Sequence, residues 1–438
     1  MNLDELGAWR RTHFASEIGP RLRGSRVVIF GWVHKIRDLG GLRFVILRDR
    51  TGRCQITIPK EQVNKELAMK AQALQTQYVV GVEGEVRESV SRFGADIVPS
   101  TIRILNTARH PLPLDVTGTI PAELDKRLDA RVMDLRREGT RAIFRIRNVV
   151  LETFRDFLTH RGYIEVHTPR IIASATEGGA ALFRVDYFGR EAFLAQSPQL
   201  YKEELVSSFE KVYEIGPVFR AEESHTRLHT SEYTSIDVEE AFVTADDVMG
   251  VLEDAVIRVV SAVSHKCQQE LKLLGHKLPD ARGPLEVMTY DDVIAELRDA
   301  GTDVEWGEDL PTPALRVLGT LHDGFYFIRR WPTRSKPFYI QPVKENPKFC
   351  DAFDLMCGWV EVASGGTRVH QKQQLLQRLR QQGLDPRSFE YHLRTFDYGM
   401  PPHSGFAVGL ERLLMCLTGC ENIREVSLFP RDVERLTP

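Results

Sequence analysis

The chain has 438 residues, is 42% hydrophobic and 27% charged, and carries a formal net charge of −3. These are the proportions of a globular protein, and no apolar run reaches the ~20 residues of a membrane span, so no membrane partner is expected. The net charge argues against a generic nucleic-acid coat, and six cysteines, at 54, 267, 350, 357, 416 and 420, have neither zinc-knuckle spacing nor the density of a disulfide scaffold.

A reducing, cytoplasmic setting is the default expectation. The opening Met1-Asn2-Leu3-Asp4-Glu5 carries early acids and no apolar stretch, so it does not read as a secretory signal. The charge is uneven. Residues 1–107 hold 17 Lys and Arg against 11 Asp and Glu, a balance of +6 that leaves −9 for the rest. A basic first module on an acidic body suits a local polyanion contact, and equally a plain basic surface.

In chain order, Arg26–Val33, Arg43–Arg48 and Cys54–Ile58 read as strands, with a turn at Asp49–Gly52. Glu61–Gln77 has helical character, and Tyr78–Val86 and Ala95–Val98 are further strands. Three strands, a helix and two strands in so short a span match an OB-type Greek-key barrel, a fold that binds single-stranded nucleic acid through aromatics and a basic groove. Pro111, Pro113, Gly118 and Pro121 mark a linker. The expected organisation is a barrel over 1–107, a linker or hinge over 108–137, and a larger domain over 138–438.

From Thr140 to Leu158 apolar residues recur at helical spacing, and Gly162 stops that helix. The strand Tyr163–Thr168 ends at Pro169. Val212–Ile215 leads to Phe219-Arg220-Ala221-Glu222. A polar loop follows with Glu223, His225, Arg227 and His229, then the strand from Glu232 to Asp237. On that strand Tyr233, Ser235, Asp237 and Glu239 share one face. Residues 265–345 carry no legible chemistry and read as an insertion or peripheral cover. Leu410, Leu413, Leu414 and Leu417 form an amphipathic helix after Gly405 and Gly409.

The helix and strand ending at Pro169, the Phe219–Glu222 segment and Gly405-Phe406-Ala407-Val408-Gly409-Leu410-Glu411-Arg412 resemble, in order and spacing, motifs 1, 2 and 3 of the class II aminoacyl-tRNA synthetases. With an N-terminal barrel the chain is similar to the aspartyl, asparaginyl and lysyl subclass, and most closely to compact archaeal-type aspartyl enzymes. Each motif alone is weak; the ordered set, with Arg127-Leu128-Asp129 and the Leu428–Asp432 tail, covers nearly the whole chain. The resemblance implies an all-β OB barrel plus an α+β catalytic domain, an antiparallel sheet flanked by helices. It also implies a homodimer built on motif 1.

Activating an amino acid brings its carboxylate to the α-phosphate of ATP, so cations must relieve the repulsion between two anions. The resemblance gives Arg220 and Arg412 that catalytic role. It adds Glu222, His229, Tyr233 and Glu361 to the ATP site, Tyr233 and Arg412 sandwiching the adenine. The arginine that many relatives carry directly before the loop histidine is absent, and Arg227 is its candidate substitute. Read alone, Arg220 also fits a surface ion pair and Tyr233 a packing aromatic.

For Mg2+ the resemblance gives Asp354, Glu361 and Ser364, across a turn at Cys357-Gly358. The two acids read alone also fit opposite strand faces. For L-aspartate it gives Glu177, Gln199, Lys202, Asp237, Ser364 and Arg368, with Lys202 and Arg368 as cations for the side chain and Asp237 for the α-ammonium. For the anticodon it gives His34, Arg37, Phe44 and Gln55, Phe44 stacking the middle base. Read alone, Phe44 also fits the core; it alternates with Val45 and Leu47, so one face must be exposed or bound. Strict enzymes of the archaeal type tend to carry Trp where this chain has His34. They also carry a lysine that Ser89-Val90-Ser91-Arg92-Phe93-Gly94 lacks.

The expected activity is therefore aspartyl-tRNA synthesis on both tRNA(Asp) and tRNA(Asn). The alternatives are a strict tRNA(Asp) enzyme, an asparaginyl enzyme, a non-catalytic RNA-binding paralogue and an amino-acid ligase without tRNA.

Overall fold

The strands expected in the first 107 residues close on themselves. The computed structural model describes residues 2–173, 181–223 and 226–438. In it β1 (Arg26–Leu39), β2 (Leu42–Arg48), β3 (Arg53–Pro59), β4 (Val79–Glu88) and β5 (Ala95–Asn106) form a closed barrel of order β1-β2-β3-β5-β4, with α1 (Lys65–Ala73) between β3 and β4. Strand alternation sends Val27, Ile29 and Val33 of β1 and Val45 and Leu47 of β2 into the barrel core. Phe44 falls on the opposite face, half-buried.

Two barrel elements differ from expectation. The helix is shorter than 61–77, because Asn64 caps it by accepting from the Leu67 N–H at 2.8 Å and Leu74 is already extended. The last strand runs well beyond Val98, through Pro99. A register shift between Glu83 and Gly84 of the facing strand accommodates a residue that has no N–H to pair. The compact unit continues to Glu123, and Leu114 and Val116 within the proline-rich stretch are buried.

The second unit runs from Leu124 to Pro438. The short helices α2 (Leu124–Asp129) and α3 (Arg131–Asp134) lead into α4 (Glu138–His160), whose Ile143, Ile146, Val150, Phe154 and Phe157 are buried. The expected strand 163–168 shrinks to β6 (Ile164–Glu165), followed by a small sheet of β7 (Ile171–Ile172), β8 (Arg184–Tyr187) and β9 (Arg190–Leu194). Then come α5 (Gln199–Phe209), β10 (Lys211–Phe219), β11 (Glu232–Ala241), α6 (Ala245–Lys266) and α7 (Gln268–Leu274). The middle of the unit supplies β12 (Glu286–Thr289), α8 (Tyr290–Asp299), α9 (Thr312–Leu321), β13 (Phe325–Arg329), β14 (Ala352–Cys357) and β15 (Val360–Thr367). The chain ends with α10 (Lys372–Gln381), α11 (Glu390–Thr395), β16 (His403–Gly409), α12 (Leu410–Thr418) and α13 (Ile423–Val426).

Eight strands make one sheet in the order β12-β13-β14-β15-β16-β11-β10-β6. The expected antiparallel pairing holds from β13 to β10, while both edge pairs, β12 with β13 and β10 with β6, are parallel. Helices α4, α6 and α12 pack with the sheet around one apolar core. Residues 265–345 are not peripheral cover. They contribute β12 and β13 to the sheet and Tyr290, Tyr326, Trp331 and Phe338 to a second core, a role that is invisible until distant strands pair. The insertion of β16 between β11 and β15 joins three segments far apart in sequence, and the candidate site lies where they meet.

Candidate active site

The β10–β11 hairpin sets the floor. Its register pairs Val218 with Tyr233, Gly216 with Ser235 and Glu214 with Asp237, so the face carrying Tyr233, Ser235 and Asp237 is continuous. Above its outer end lies a cleft with a cavity volume of about 120 Å³, whose walls include Arg220, Glu222, His229, Tyr233, Glu361 and Arg412. All six residues expected around ATP thus come together. The Arg220 guanidinium lies 5.7 Å from the centre of the Tyr233 ring and 4.0 Å from Glu222 Oε1.

Arg412 follows Gly409 at the start of α12. It donates from Nη1 to the Glu361 carbonyl at 3.2 Å and lies 3.3 Å, through Nη2, from His229 Nε2. A guanidinium can only donate, so Nε2 accepts and Nδ1 carries the proton toward Thr226 Oγ1, 2.6 Å away. Burial and then the Arg412 charge hold the His229 pKa below its ordinary value, which keeps the ring neutral near pH 7. Glu411 fixes the helix start: it accepts from the Thr234 N–H at 2.9 Å and from Arg147 at 2.7 Å, tying α12 to β11 and α4. Arg227 does not line the cleft; it is exposed and lies 3.3 Å from Glu421.

One step further along the β11 face the side chains are buried and charged. Lys202, on α5, lies 2.9 Å from Asp237 and 3.5 Å from Glu239 and is completely buried. Arg368 donates to both oxygens of Glu239, at 2.9 and 3.2 Å, through Nε and Nη2. Gln199 bridges Glu203 at 2.8 Å and Glu239 at 3.4 Å. The expected aspartate-binding cations are therefore already paired with carboxylates, and Glu239, which sequence reasoning placed on this face without a task, holds both. Gly405 of β16 is required there: a Cβ would stand 2.2 Å from the Val238 carbonyl and 2.3 Å from Glu239 Oε2. Glu177 lies outside the described residues.

Beneath Gln199 sits a network with no local sequence signal. Glu203 is buried 3.1 Å from His392 and 3.8 Å from His403. Burial alone would raise the Glu203 carboxyl, but the hydrogen bond from His392, with His403 close by, outweighs it and holds it well below the usual range. Burial would lower His392 in the same way; contacts with Glu203 and Glu204 push it up to about 9.

Asp354, on β14, pairs with Ser364 of β15, and a bulge between Leu355 and Met356 shifts the register to set Met356 opposite Glu361. Burial, reinforced by the nearby charge of Glu361, pushes the Asp354 carboxyl up to about 6 against the pull of Lys336. Lys336 Nζ lies 2.6 Å from Oδ2 and 3.9 Å from the Trp331 ring centre. Lys336 was missed because it lies in the stretch read as cover. Asp354 Oδ1 is buried and has no hydrogen-bond donor. A buried, destabilised carboxylate with one oxygen uncommitted, beside a second carboxylate and a hydroxyl, is a donor set that fits a hard divalent cation. No group of three His, Cys, Asp or Glu is poised for a metal among the described residues, so such a cation would draw its other ligands from phosphate and water.

In the barrel, His34, Arg37, Phe44 and Gln55 line one groove together with Arg53 and the Ser89–Phe93 segment. Arg37 is exposed and Gln55 half-buried. His34 is only 6% exposed, and its Nε2 accepts from Arg53 at 3.0 Å, so it supports the groove wall from beneath.

Comparison with known proteins agrees with this geometry. Residues 123–433 match the family model for class II tRNA synthetases (D, K and N), and residues 27–105 match the OB-fold nucleic acid binding domain. An aspartate–tRNA(Asp/Asn) ligase from Methanothermobacter thermautotrophicus is 48% identical over 99% of this chain and 100% of its own length. An aspartate–tRNA(Asp) ligase from Pyrococcus abyssi is 46% identical over 98% of this chain and 100% of its own. The crystal structure of asparaginyl-tRNA synthetase from Pyrococcus horikoshii with asparaginyl-adenylate superposes with a TM-score of 0.93 at 32% identity, covering 98% of this chain and 100% of that one. Aspartyl-tRNA synthetase from Entamoeba histolytica gives 0.88 at 29% identity, covering 100% and 96%. The ordered motifs, the site they assemble and the match over most of the chain place this protein in the class II tRNA synthetases of the D, K and N group.

Proposed function

We propose that the chain is an aspartate–tRNA ligase that activates L-aspartate with ATP and charges both tRNA(Asp) and tRNA(Asn). The observation that carries the amino-acid choice is the buried set of Lys202, Arg368, Asp237 and Glu239, adjoining the cleft of Arg220, Tyr233 and Arg412. Arg368 keeps Nη1 clear of its pairing with Glu239, so it can take a substrate carboxylate beside Lys202. Asparagine would set its amide nitrogen against those donors and leave one unpaired.

In the first step a carboxylate oxygen of aspartate attacks the α-phosphorus of ATP, and the bond to pyrophosphate breaks. Arg220, in the wall of the cleft, stabilises the charge of the pentacovalent transition state. Tyr233 and Arg412 hold the adenine, Asp237 and Gln199 the α-ammonium, and neutral His229, its Nε2 accepting from Arg412, orients that guanidinium. In the second step a terminal ribose hydroxyl of tRNA attacks the mixed anhydride and AMP leaves. Orientation and charge placement do the work, without a covalent enzyme intermediate. Asp354, Glu361 and Ser364 would hold Mg2+, which neutralises phosphate charge when bound. The reading includes a homodimer and a cytoplasmic location.

For the tRNA, the absence of a bulky indole at His34 and of a lysine in the Ser89–Gly94 loop supports acceptance of both species. The asparaginyl alternative draws on the close superposition with the Pyrococcus horikoshii structure. Pyrophosphate exchange with each amino acid, followed by charging of both tRNA transcripts with aspartate, tests the reading. Exchange with aspartate alone and charging of both transcripts is expected. Exchange with asparagine alone would remove the role given to Lys202, and charging of tRNA(Asp) alone would remove the role given to His34.

A further inference from the structure

The carboxylate that organises the barrel groove is one the sequence did not single out. Asp96 stands beside Gln55 in the parallel pairing of β3 and β5 and is 5% exposed. Its Oδ2 accepts from Gln55 Nε2 at 2.8 Å, Thr57 Oγ1 at 2.7 Å and Ser89 Oγ at 2.8 Å, and its Oδ1 accepts from Ser91 Oγ at 2.8 Å. Ser89 Oγ in turn accepts from the Ser91 N–H at 3.1 Å. One buried carboxylate thus ties the β4–β5 loop to the groove and grips one end of the Gln55 amide.

A carboxylate accepts and does not donate. The Gln55 amide must therefore turn its nitrogen to Asp96, which leaves Oε1 as the end that is not held. Gln55 lines the groove beside Phe44, so the amide offers an acceptor to a base stacked on that ring. Anticodons for aspartate and asparagine codons share uracil in the middle position. Uracil carries a hydrogen on N3, whereas cytosine has a lone pair there. We propose that Asp96 is a positioning residue: it locks the Gln55 amide with Oε1 outward and so makes the barrel select uracil over cytosine at the base stacked on Phe44. This rests on the tRNA reading above.

The test is aspartylation of two tRNA(Asp) transcripts differing only by uracil or cytosine at the middle anticodon position. The enzymes are the full-length chain and its Asp96→Asn, Gln55→Leu and doubly substituted forms. Asparagine keeps the size of the side chain but presents both a donor and an acceptor, so the amide is free to turn over. Wild type should prefer uracil by about tenfold or more in kcat/KM, as one specific hydrogen bond predicts. Asp96→Asn should remove most of that preference, mainly through KM, with tRNA-independent pyrophosphate exchange unchanged. Gln55→Leu should abolish the preference, and adding Asp96→Asn should change nothing more. An undiminished preference in Asp96→Asn, or an equal loss on both transcripts, overturns the proposal. A wild type that exchanges pyrophosphate with aspartate yet charges neither transcript instead sinks the tRNA reading, and the proposal with it.

Discussion

Lys336 and Asp354 set the terms at the residue scale. A buried ion pair is weak evidence for stability, but removing one partner strands the other's charge. Lys336→Met should therefore cost about 3–5 kcal/mol in urea denaturation, while Lys336→Arg should retain most of the stability. Arg220→Ala is expected to slow aspartate-dependent pyrophosphate exchange by roughly 10²–10³, the range for removing one donor aimed at a transition-state charge, with the melting temperature nearly unchanged because Arg220 is only half-buried. An unchanged exchange rate would return Arg220 to the ordinary surface ion pair it resembles in isolation. Sequence reading reached Arg220 through its motif. It missed Lys336, whose partner lies 18 residues away on β14.

At the scale of elements, the close approach of β16 to β11 governs the amino-acid pocket. A Cβ at Gly405 meets both a β11 carbonyl and Glu239 Oε2, so Gly405→Ala should displace the carboxylate that holds Lys202 and Arg368. Steady-state kinetics should find KM for aspartate raised at least about tenfold, the loss of a charged hydrogen bond, with KM for ATP little changed. The contact between α5 and α11 has its own signature. His392 has its pKa raised above the ordinary 6.5, so its contribution is complete below about pH 6.5 and is lost as pH rises through about 9. Glu203 is shifted the other way, so its contribution is present above its ordinary 4.5 and is lost as pH falls. Denaturation at pH 7.5 and 9.5 should find wild type losing up to about 2 kcal/mol. His392→Gln, already less stable, should lack that part of the slope. An identical slope in both proteins would mean that His392 is neutral in the fold. The helix α4 and the β10–β11 hairpin were legible because period and turn signals are local. The network between α5 and α11 was not, because its members lie close to 190 residues apart.

On the whole-molecule scale, Ile164, within the segment likened to motif 1, and Ile171, just after it, are 45% and 47% exposed in the single chain. Two apolar side chains on short strands suit the core of a two-fold interface. Sedimentation should give twice the monomer mass, and Ile164→Asp combined with Ile171→Asp should shift the protein toward monomer. A wild type that sediments as a monomer at micromolar concentration would remove the dimer from the reading.

What the sequence determined by itself was the kind of molecule: alternating strands that must close into a barrel, a long amphipathic helix, and three ordered motifs whose residue types suit a phosphate-activating site. Those signals survive in one dimension because they depend on periods of two and 3.6 residues and on short spacings. Only the tertiary structure decided how the charges are balanced. Lys202 and Arg368 share Glu239, Lys336 reaches Asp354, Glu203 sits beside two histidines, and Asp96 holds Gln55 of a strand 41 residues away. A buried charge is tolerated only beside a partner, and strand order and register, not sequence neighbourhood, choose that partner.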